Sequence, residues 1–475
     1  MFEKVFKNID EVLRDDANCD TELDYAEQSS WALFLKWLDD YEKDKESLCK
    51  LEGKEYENIL EKKYRWSSWG NFNDDKTGED LQNFVNQELF PYLASFKNNS
   101  YSINSVHYKI GEIFTKLDNK LEDGYSLKNL LNEIDSLNFR TNENKHELSS
   151  LYEERIKRVG NAGRNGGEYY TPRPLIRIIN QVINPKIGEK IYDGACGSSG
   201  FLVEAFNYIK DSKPLTSTEL IKLQKETLFG KEKKRFPYII GTMNMILHGI
   251  EVPNIIRKNT LEENILEIQD SERYDVVLAN PPFGGDEKEH IKESFPIQTS
   301  ETALLFLQHF IKILKIGGRA GIVIKSTFLT NDDAANVKLR KLLIEECNLH
   351  TILDLPSGTF QGASIKTIVL FFDKGKRTDK IWFYQLNLDR NLGKKKPLSL
   401  EDLEEFILFQ KDKKSSPNSW SFEIKNINTE TYELPVKNPN KKDTTDKRTP
   451  SEIINSLQKI DEEIQKSFQQ IKKNL

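Results

Sequence analysis

Between Lys190 and Phe372, short apolar runs rich in β-branched residues alternate with longer stretches whose apolar residues recur every three or four positions. The short runs are Lys190–Asp193, Thr227–Gly230, Ile255–Ile256, Tyr274–Ala279, Arg319–Ile324, Thr351–Leu355 and Thr367–Phe372. They are too short for helices and read as buried strands. Between them, Phe201–Ala205 starts a helix, Ile239–His248 forms another, and Ala303, Leu304, Phe306, Leu307, Phe310, Ile311 and Leu314 fall on one helical stripe. Lys315–Gly318 reads as the end of that last helix. Strand–helix alternation of this kind predicts an α/β fold with a mostly parallel sheet covered on both faces. Ligands of such sheets bind at the carboxyl ends of the strands.

Asn280-Pro281-Pro282-Phe283 stands at one such end, directly after Tyr274–Ala279 and before Gly284-Gly285. Each proline fixes its own φ and lacks an N–H, and Pro281 restricts the backbone of Asn280. The turn therefore carries two stiffly held acceptors, the Asn280 amide oxygen and the Pro281 carbonyl. Two such acceptors suit a planar amino group with two N–H donors, such as the exocyclic amine of adenine. They favour a pyramidal nitrogen and aim its lone pair at an electrophile, and Phe283 is placed to stack on a flipped base. Taken alone, the tetrapeptide also fits an ordinary strand-ending turn.

The first strand ends in Asp193, followed by the turn Gly194-Ala195-Cys196-Gly197-Ser198-Ser199-Gly200. Glycines at 194, 197 and 200 do not fit the G-x-G-x-x-G spacing of a dinucleotide site. They fit an S-adenosylmethionine site, in which an acidic residue and a glycine turn hold the methionine end. Glu232, at the end of the second strand, is then placed to grip the ribose hydroxyls, as acids do in nucleotide-binding α/β folds. Methyl transfer from a sulfonium proceeds by alignment of nucleophile, methyl and leaving group, so no nucleophilic residue or acid–base pair is required.

Around this unit the chain is organised in three parts: a helical segment over residues 1–150, the α/β unit over 151–435, and a linker with a helix over 436–475. The aromatic stripes Trp31–Leu38 and Tyr64–Trp69 read as helical core, and Asp39–Lys50 as a solvated helix face. A helix over Glu147–Val159 gives way to the glycine-rich stretch Gly160–Gly167. Thr171-Pro172 reads as N-cap and first turn of the next helix. A helix is expected at Leu400–Phe409, and Lys394-Lys395-Lys396 reads as a basic tip. Thr449-Pro450-Ser451-Glu452 is a capping box opening a helix with Ile453, Leu457, Ile460, Ile464, Phe468, Ile471 and Leu475 on one stripe, suited to a partner helix. The four scattered cysteines predict a reduced, cytoplasmic protein, the six dispersed histidines suggest no metal site, and no run approaches membrane-spanning length. The net charge of −6 implies that any grip on DNA is local or supplied by a partner.

Glu168-Tyr169-Tyr170-Thr171-Pro172, then Asp193 to Leu202, then Asn280 to Gly284, in this order, resemble the amino-methylating DNA adenine methyltransferases, and more narrowly the modification subunit of type I restriction–modification systems. The likeness extends through Leu314–Gly318, Leu353–Pro356 with Phe360, and Tyr432–Asn440. It implies a Rossmann-like S-adenosylmethionine-dependent methyltransferase fold that methylates adenine N6 in DNA. It also implies roles. Glu168, Tyr169, Tyr170, Thr171, Pro172 and Arg173, with Ser198, Ser199 and Gly200, would line the S-adenosylmethionine pocket. Asp193 and Gly197 would support the turn, Glu232 would hold the ribose, and Asn280, Pro281, Pro282 and Phe283 would hold the target adenine. Asn259 stands where the family often has an acid near the cofactor's adenine, and Gly194 where it commonly has proline. The implied partners are double-stranded DNA, a DNA-specificity subunit, a second copy of this chain and a restriction subunit. A protein glutamine amide or an RNA base is the alternative methyl acceptor.

Overall fold

The computed structural model describes residues 2–70, 78–98, 100–102, 105–139, 142–162, 170–360, 365–440 and 449–474. Its centre is a nine-stranded sheet of order β3-β2-β1-β4-β5-β7-β6-β8-β9. The strands are β1 (Ile191–Asp193), β2 (Leu228–Glu232), β3 (Asn254–Arg257), β4 (Tyr274–Ala279), β5 (Leu314–Lys325), β6 (Cys347–Asp354), β7 (Thr367–Lys374), β8 (Lys380–Gln385) and β9 (Ser419–Glu423). From β3 to β5 every pairing is parallel. Strand β7 lies antiparallel between β5 and β6, and β9 pairs antiparallel with β8.

The chain winds outward from β1 through β2 to β3, then crosses back to place β4 on the other side of β1. That reversal opens a crevice at the carboxyl ends of β1 and β4, the switch point where open α/β sheets take ligands. Strand β4 is buried through Val276, Val277, Leu278 and Ala279, so Asn280 emerges where the hydrophobic run stops. Helices Arg173–Ile183, Gly200–Ser212 and Arg235–Leu247 contribute to one buried cluster, and Thr302–Ile313 and Ala334–Glu346 to the other.

The N-terminal helices, with the long Glu22–Leu51 among them, pack into the same core as the first three α/β helices. They also guard the β3 edge. Lys109 Nζ donates to the Ile255 carbonyl, Tyr41 Oη donates to Glu251 at 3.0 Å, and Arg235 pairs with Glu27 at 2.6 Å. The Lys109 bond thus satisfies one backbone acceptor of the edge strand. Helix Asn142–Ala162 joins the two regions. Its Arg155 is 1% exposed and bonds Asp10, Ser29 and the Tyr25 carbonyl, while its Glu153 faces the glycine turn.

Several expectations are corrected. The helix expected to end at Val159 runs on to Ala162, so Gly160 is helical, and residues 163–167 lie outside the described residues. Lys315–Gly318 is not a helix end but the start of β5, because the helix stops at Ile313. Thr171 does not cap the next helix. Pro172 occupies the cap without a side-chain bond, and Pro174 sits in the first turn. The local preference is overridden because the Thr171 hydroxyl has a tertiary partner, Asn280. The expected helix Leu400–Phe409 is a short 3₁₀ turn, Glu401–Leu403, followed by Glu404–Gln410. The solvated face expected over Asp39–Lys50 begins only at Lys43. Asp39, Asp40 and Glu42 are buried, with Asp39 accepting from Ser67 N and Oγ and Glu42 accepting from Ile59 N. The capping box at Thr449 is formed, with Glu452 N donating to Thr449 Oγ1 at 3.3 Å and Glu452 accepting from Thr449 N. The stripe on that last helix is half-buried at Ile453 and exposed at Leu457, Ile460, Ile464, Phe468 and Ile471, and Leu475 lies outside the described residues. No helix among the described residues is long and apolar enough to cross a membrane.

Candidate active site

Parallel pairing of β1 with β2 and β4 brings Asp193, Glu232 and Asn280 to one edge, and Asn259 follows from the end of β3. Two adjoining clefts run along this edge. One is lined by Thr171, Arg173, Asp193, Gly197, Ser198, Gly200 and Asn280, among others. The other is lined by Gly194, Glu232, Lys233, Pro237, Asn259, Thr260, Pro282, Glu287, Thr302 and Phe306, among others. Ala195 and Asn280 belong to both and form the ridge between them.

Asn280 is 8% exposed. Its Nδ2 donates to Thr171 Oγ1 at 3.0 Å, and its Oδ1 has no partner among the described residues. With Nδ2 turned to Thr171, the amide leaves its oxygen as an uncommitted acceptor. A buried acceptor without a partner is costly unless a ligand meets it. Phe283 is buried and meets Phe360 edge-on at 5.4 Å.

The glycine turn is held from two sides. Asp193 Oδ1 accepts from Ala195 N at 3.0 Å, and Glu232 Oε2 accepts from Gly197 N at 3.0 Å while its Oε1 accepts from Lys234 N at 2.7 Å. Burial pushes the Asp193 carboxyl up to about 8, with the neighbouring Glu232 charge adding to the effect. Burial likewise raises Glu232, against the backbone donors that lower it. With a buried Asp193 on one cleft and a half-buried Glu232 on the adjoining one, this edge is a place where a positive charge is favoured.

Gly197 and Ser199 both adopt left-handed φ values, of 49° and 60°. Ser199 is fully buried and turned towards Gly241, so it shapes the turn without lining the cleft. Arg173 pairs through Nε and Nη2 with Glu153, and its Nη1 has no partner among the described residues. A Cβ added at Gly200 would lie 1.6 Å from that Nη1, so only glycine admits the guanidinium here. Tyr170 lies beside Arg173, with the guanidinium 5.7 Å from its ring centroid. Asn259 Oδ1 accepts from Leu261 N at 3.2 Å, and its Nδ2 donates to Glu287 at 3.1 Å. Glu168 and Tyr169 lie outside the described residues.

Gly194 lies close against two aromatic side chains, which the sequence did not reveal. A Cβ there would meet Tyr192 Oη and Phe310 at 2.9 Å. The site also recruits residues that the sequence reading did not single out. Glu153 and Asn244 support the turn, Asn244 Nδ2 donating to Ser198 O and to Glu153 at 2.9 Å each. Thr260 Oγ1 donates to the Gly194 carbonyl at 2.5 Å, and Glu287 and Thr302 line the second cleft.

A family model described as N-6 DNA Methylase matches residues 143–448, and one described as HsdM N-terminal domain matches residues 2–134. The chain is 36% identical over 475 residues to the type I restriction enzyme EcoEI methylase subunit of Escherichia coli, with 97% of this chain and 94% of that one covered. The chain belongs to the N-6 DNA methylases, among the type I restriction enzyme methylase subunits. The EcoKI methylase subunit of Escherichia coli K12 is 29% identical over 408 residues, covering 80% of this chain and 71% of that one. Among solved structures, a chain from work on complex assembly and conformational transition of the type I R-M system superposes with a TM-score of 0.82 at 34% identity, covering 99% of this chain and 97% of that one. A modification subunit of a type I restriction enzyme from Vibrio vulnificus YJ016 superposes with a TM-score of 0.80, also at 34% identity, covering 90% of this chain and 92% of that one. The N-6 DNA methylase match covers the α/β sheet and both clefts, and so includes every site residue described above.

Proposed function

We propose that this methylase subunit transfers a methyl group to N6 of adenine in double-stranded DNA, as the modification subunit of a type I restriction–modification complex. The observation that carries the reading is the Asn280 amide, anchored through Nδ2 on Thr171 with its Oδ1 left as a buried acceptor between two clefts. S-adenosylmethionine, when bound, supplies an electrophilic methyl on a sulfonium.

The residues that suit this cofactor do so by their own chemistry. Arg173, paired with Glu153 through Nε and Nη2, keeps a buried Nη1 donor beside Gly200 with no partner among the described residues, fitted to a carboxylate. Asp193 and Glu232 favour positive charge, and Glu232 keeps acceptor capacity for hydroxyls beyond its two backbone donors. Gly197, Ser198 and Gly200 allow close backbone approach, with Thr171 lining the same cleft.

On the base side, Asn280 Oδ1 and the Pro281 carbonyl accept the two hydrogens of the flipped adenine's amine. Held this way, the nitrogen lone pair is directed out of the ring plane and becomes nucleophilic. Pro282 stiffens the turn, and Phe283 with Phe360 forms an aromatic wall. Catalysis is then alignment and preorganised hydrogen bonding.

The reading divides the chain into the helical unit 1–150, the methyltransferase unit 151–435 and the C-terminal segment 436–475. The exposed apolar stripe of helix Pro450–Asn474 suits a DNA-specificity subunit. A second copy of this chain and a restriction subunit complete the assembly. Recognition of the DNA by a partner accords with a net charge of −6. The test is to express the chain with its specificity subunit in a host lacking adenine methylation and to map N6-methyladenine. Methyladenine at one recurrent sequence is expected, and unmodified DNA with both subunits present would overturn the reading.

A further inference from the structure

The connection after Asn280-Pro281-Pro282-Phe283 does not run out into solvent. It turns through Gly284 and Gly285 and brings Glu287 back over the ends of β2 and β3. The Glu287 side chain is 8% exposed. Its carboxylate accepts from Asn259 Nδ2 at 3.1 Å and from Lys233 Nζ at 2.8 and 3.0 Å. It shares the second cleft with Glu232, while Pro237, Pro282 and Phe306 give that cleft apolar walls suited to a flat ring.

The order of strands sets what meets Glu287. The glycine turn follows β1, Glu232 ends β2, and Asn259 follows β3, so a nucleoside lying along this edge with its ribose at Glu232 directs its base towards Asn259. An adenine there presents an amine with two donors and needs an acceptor. Asn259 and Glu287 both face this end of the cleft. As an acceptor Asn259 is the weaker of the two, being neutral with its Oδ1 already taking Leu261 N, and its Nδ2 is a donor given to Glu287. The carboxylate of Glu287 is charged and, with about four lone-pair sites against the donors of Asn259 and Lys233, keeps acceptor capacity on this cleft.

We propose that Glu287, positioned by Asn259 and Lys233, is the acceptor for the exocyclic amine of the cofactor's adenine and sets the cofactor's base specificity. The acid at this end of the cleft thus comes from the connection that also carries Asn280, instead of from the end of β3. This inference rests on S-adenosylmethionine being the cofactor.

The test is calorimetric binding of S-adenosylmethionine and of its analogue with unsubstituted purine in place of adenine, to the full-length chain and to Glu287→Ala and Glu287→Gln. The wild type is expected to prefer the adenine form by about 10- to 100-fold, the range for a hydrogen bond to a charged acceptor. Glu287→Ala is expected to bind both forms within about twofold of each other, at the affinity the wild type has for the purine analogue. Glu287→Gln, which keeps a carbonyl acceptor, retains part of the preference. A preference undiminished in Glu287→Ala overturns the proposal, and so does an equal loss of both ligands, which marks a merely structural role. Absence of S-adenosylmethionine binding by the wild type overturns the cofactor reading itself.

Discussion

Thr171→Val is the sharpest perturbation of how the Asn280 amide is set. Valine matches threonine in shape and removes only the hydroxyl that accepts from Asn280 Nδ2 at 3.0 Å. The hydroxyl does not cap the following helix, so the helix itself is not weakened. With Asn280 8% exposed, its Nδ2 is left without an acceptor, at a cost of about 1–3 kcal/mol, or the amide rotates and presents Nδ2 where Oδ1 belongs. If about 1–2 kcal/mol of that appears in the transition state, the methyl-transfer rate falls by about 5- to 30-fold. The assay is single-turnover transfer of labelled methyl to DNA with the specificity subunit present, alongside calorimetry with S-adenosylmethionine. A slower step with cofactor affinity within about twofold is expected, and Thr171→Ser should restore the rate. An unchanged rate in Thr171→Val, or a Thr171→Ser variant as slow as the valine variant, refutes the orienting role.

Three further outcomes follow from the same geometry. Glu153→Gln leaves the Arg173 guanidinium, 11% exposed in its side chain, without its counter-charge, and should lower stability by about 3–5 kcal/mol in denaturant melts. Asp193 is raised from 3.8 to about 8, so in the folded chain it holds a proton that the unfolded chain has released. Its contribution to stability is therefore present below pH 3.8 and lost as pH rises towards about 8, and Asp193→Asn should flatten that part of the stability profile. A bound sulfonium cation favours the ionised carboxylate, so cofactor binding near pH 7 should release protons, seen as a calorimetric heat that varies with buffer ionisation enthalpy and vanishes in Asp193→Asn. Removal of residues 449–475 should leave the melting temperature unchanged, since the helix stripe is exposed, but abolish co-purification with the specificity subunit.

Much of the fold could be read from the chain. The runs ending at Asp193, Glu232 and Ala279 became parallel strands because β-branched apolar residues bounded by glycine and asparagine have few other ways to be buried. Strands β8 and β9 were not expected. β9, Ser-Trp-Ser-Phe-Glu, is short, pairs on one side only and carries few apolar residues, so its signal is weak until Trp420 is seen stacked on Phe383 at 5.2 Å. The Asn280 turn and the glycine turn were legible because proline and glycine leave local marks. Glu287 was not, because Asp286-Glu287-Lys288-Glu289 reads as a solvated charge run. Only the tertiary return of that connection buries its side chain. Thr171 misled for the opposite reason: a good local cap was outbid by a partner 109 residues away.

The central claim is that Asn280 holds the accepting amine while other residues hold the cofactor. It is tested most directly by Asn280→Ala, measuring S-adenosylmethionine affinity and methyl transfer to adenine N6 in DNA on the same preparation with the specificity subunit. Transfer lost with cofactor affinity kept within about twofold is the predicted result. Transfer retained at the wild-type rate would contradict the account.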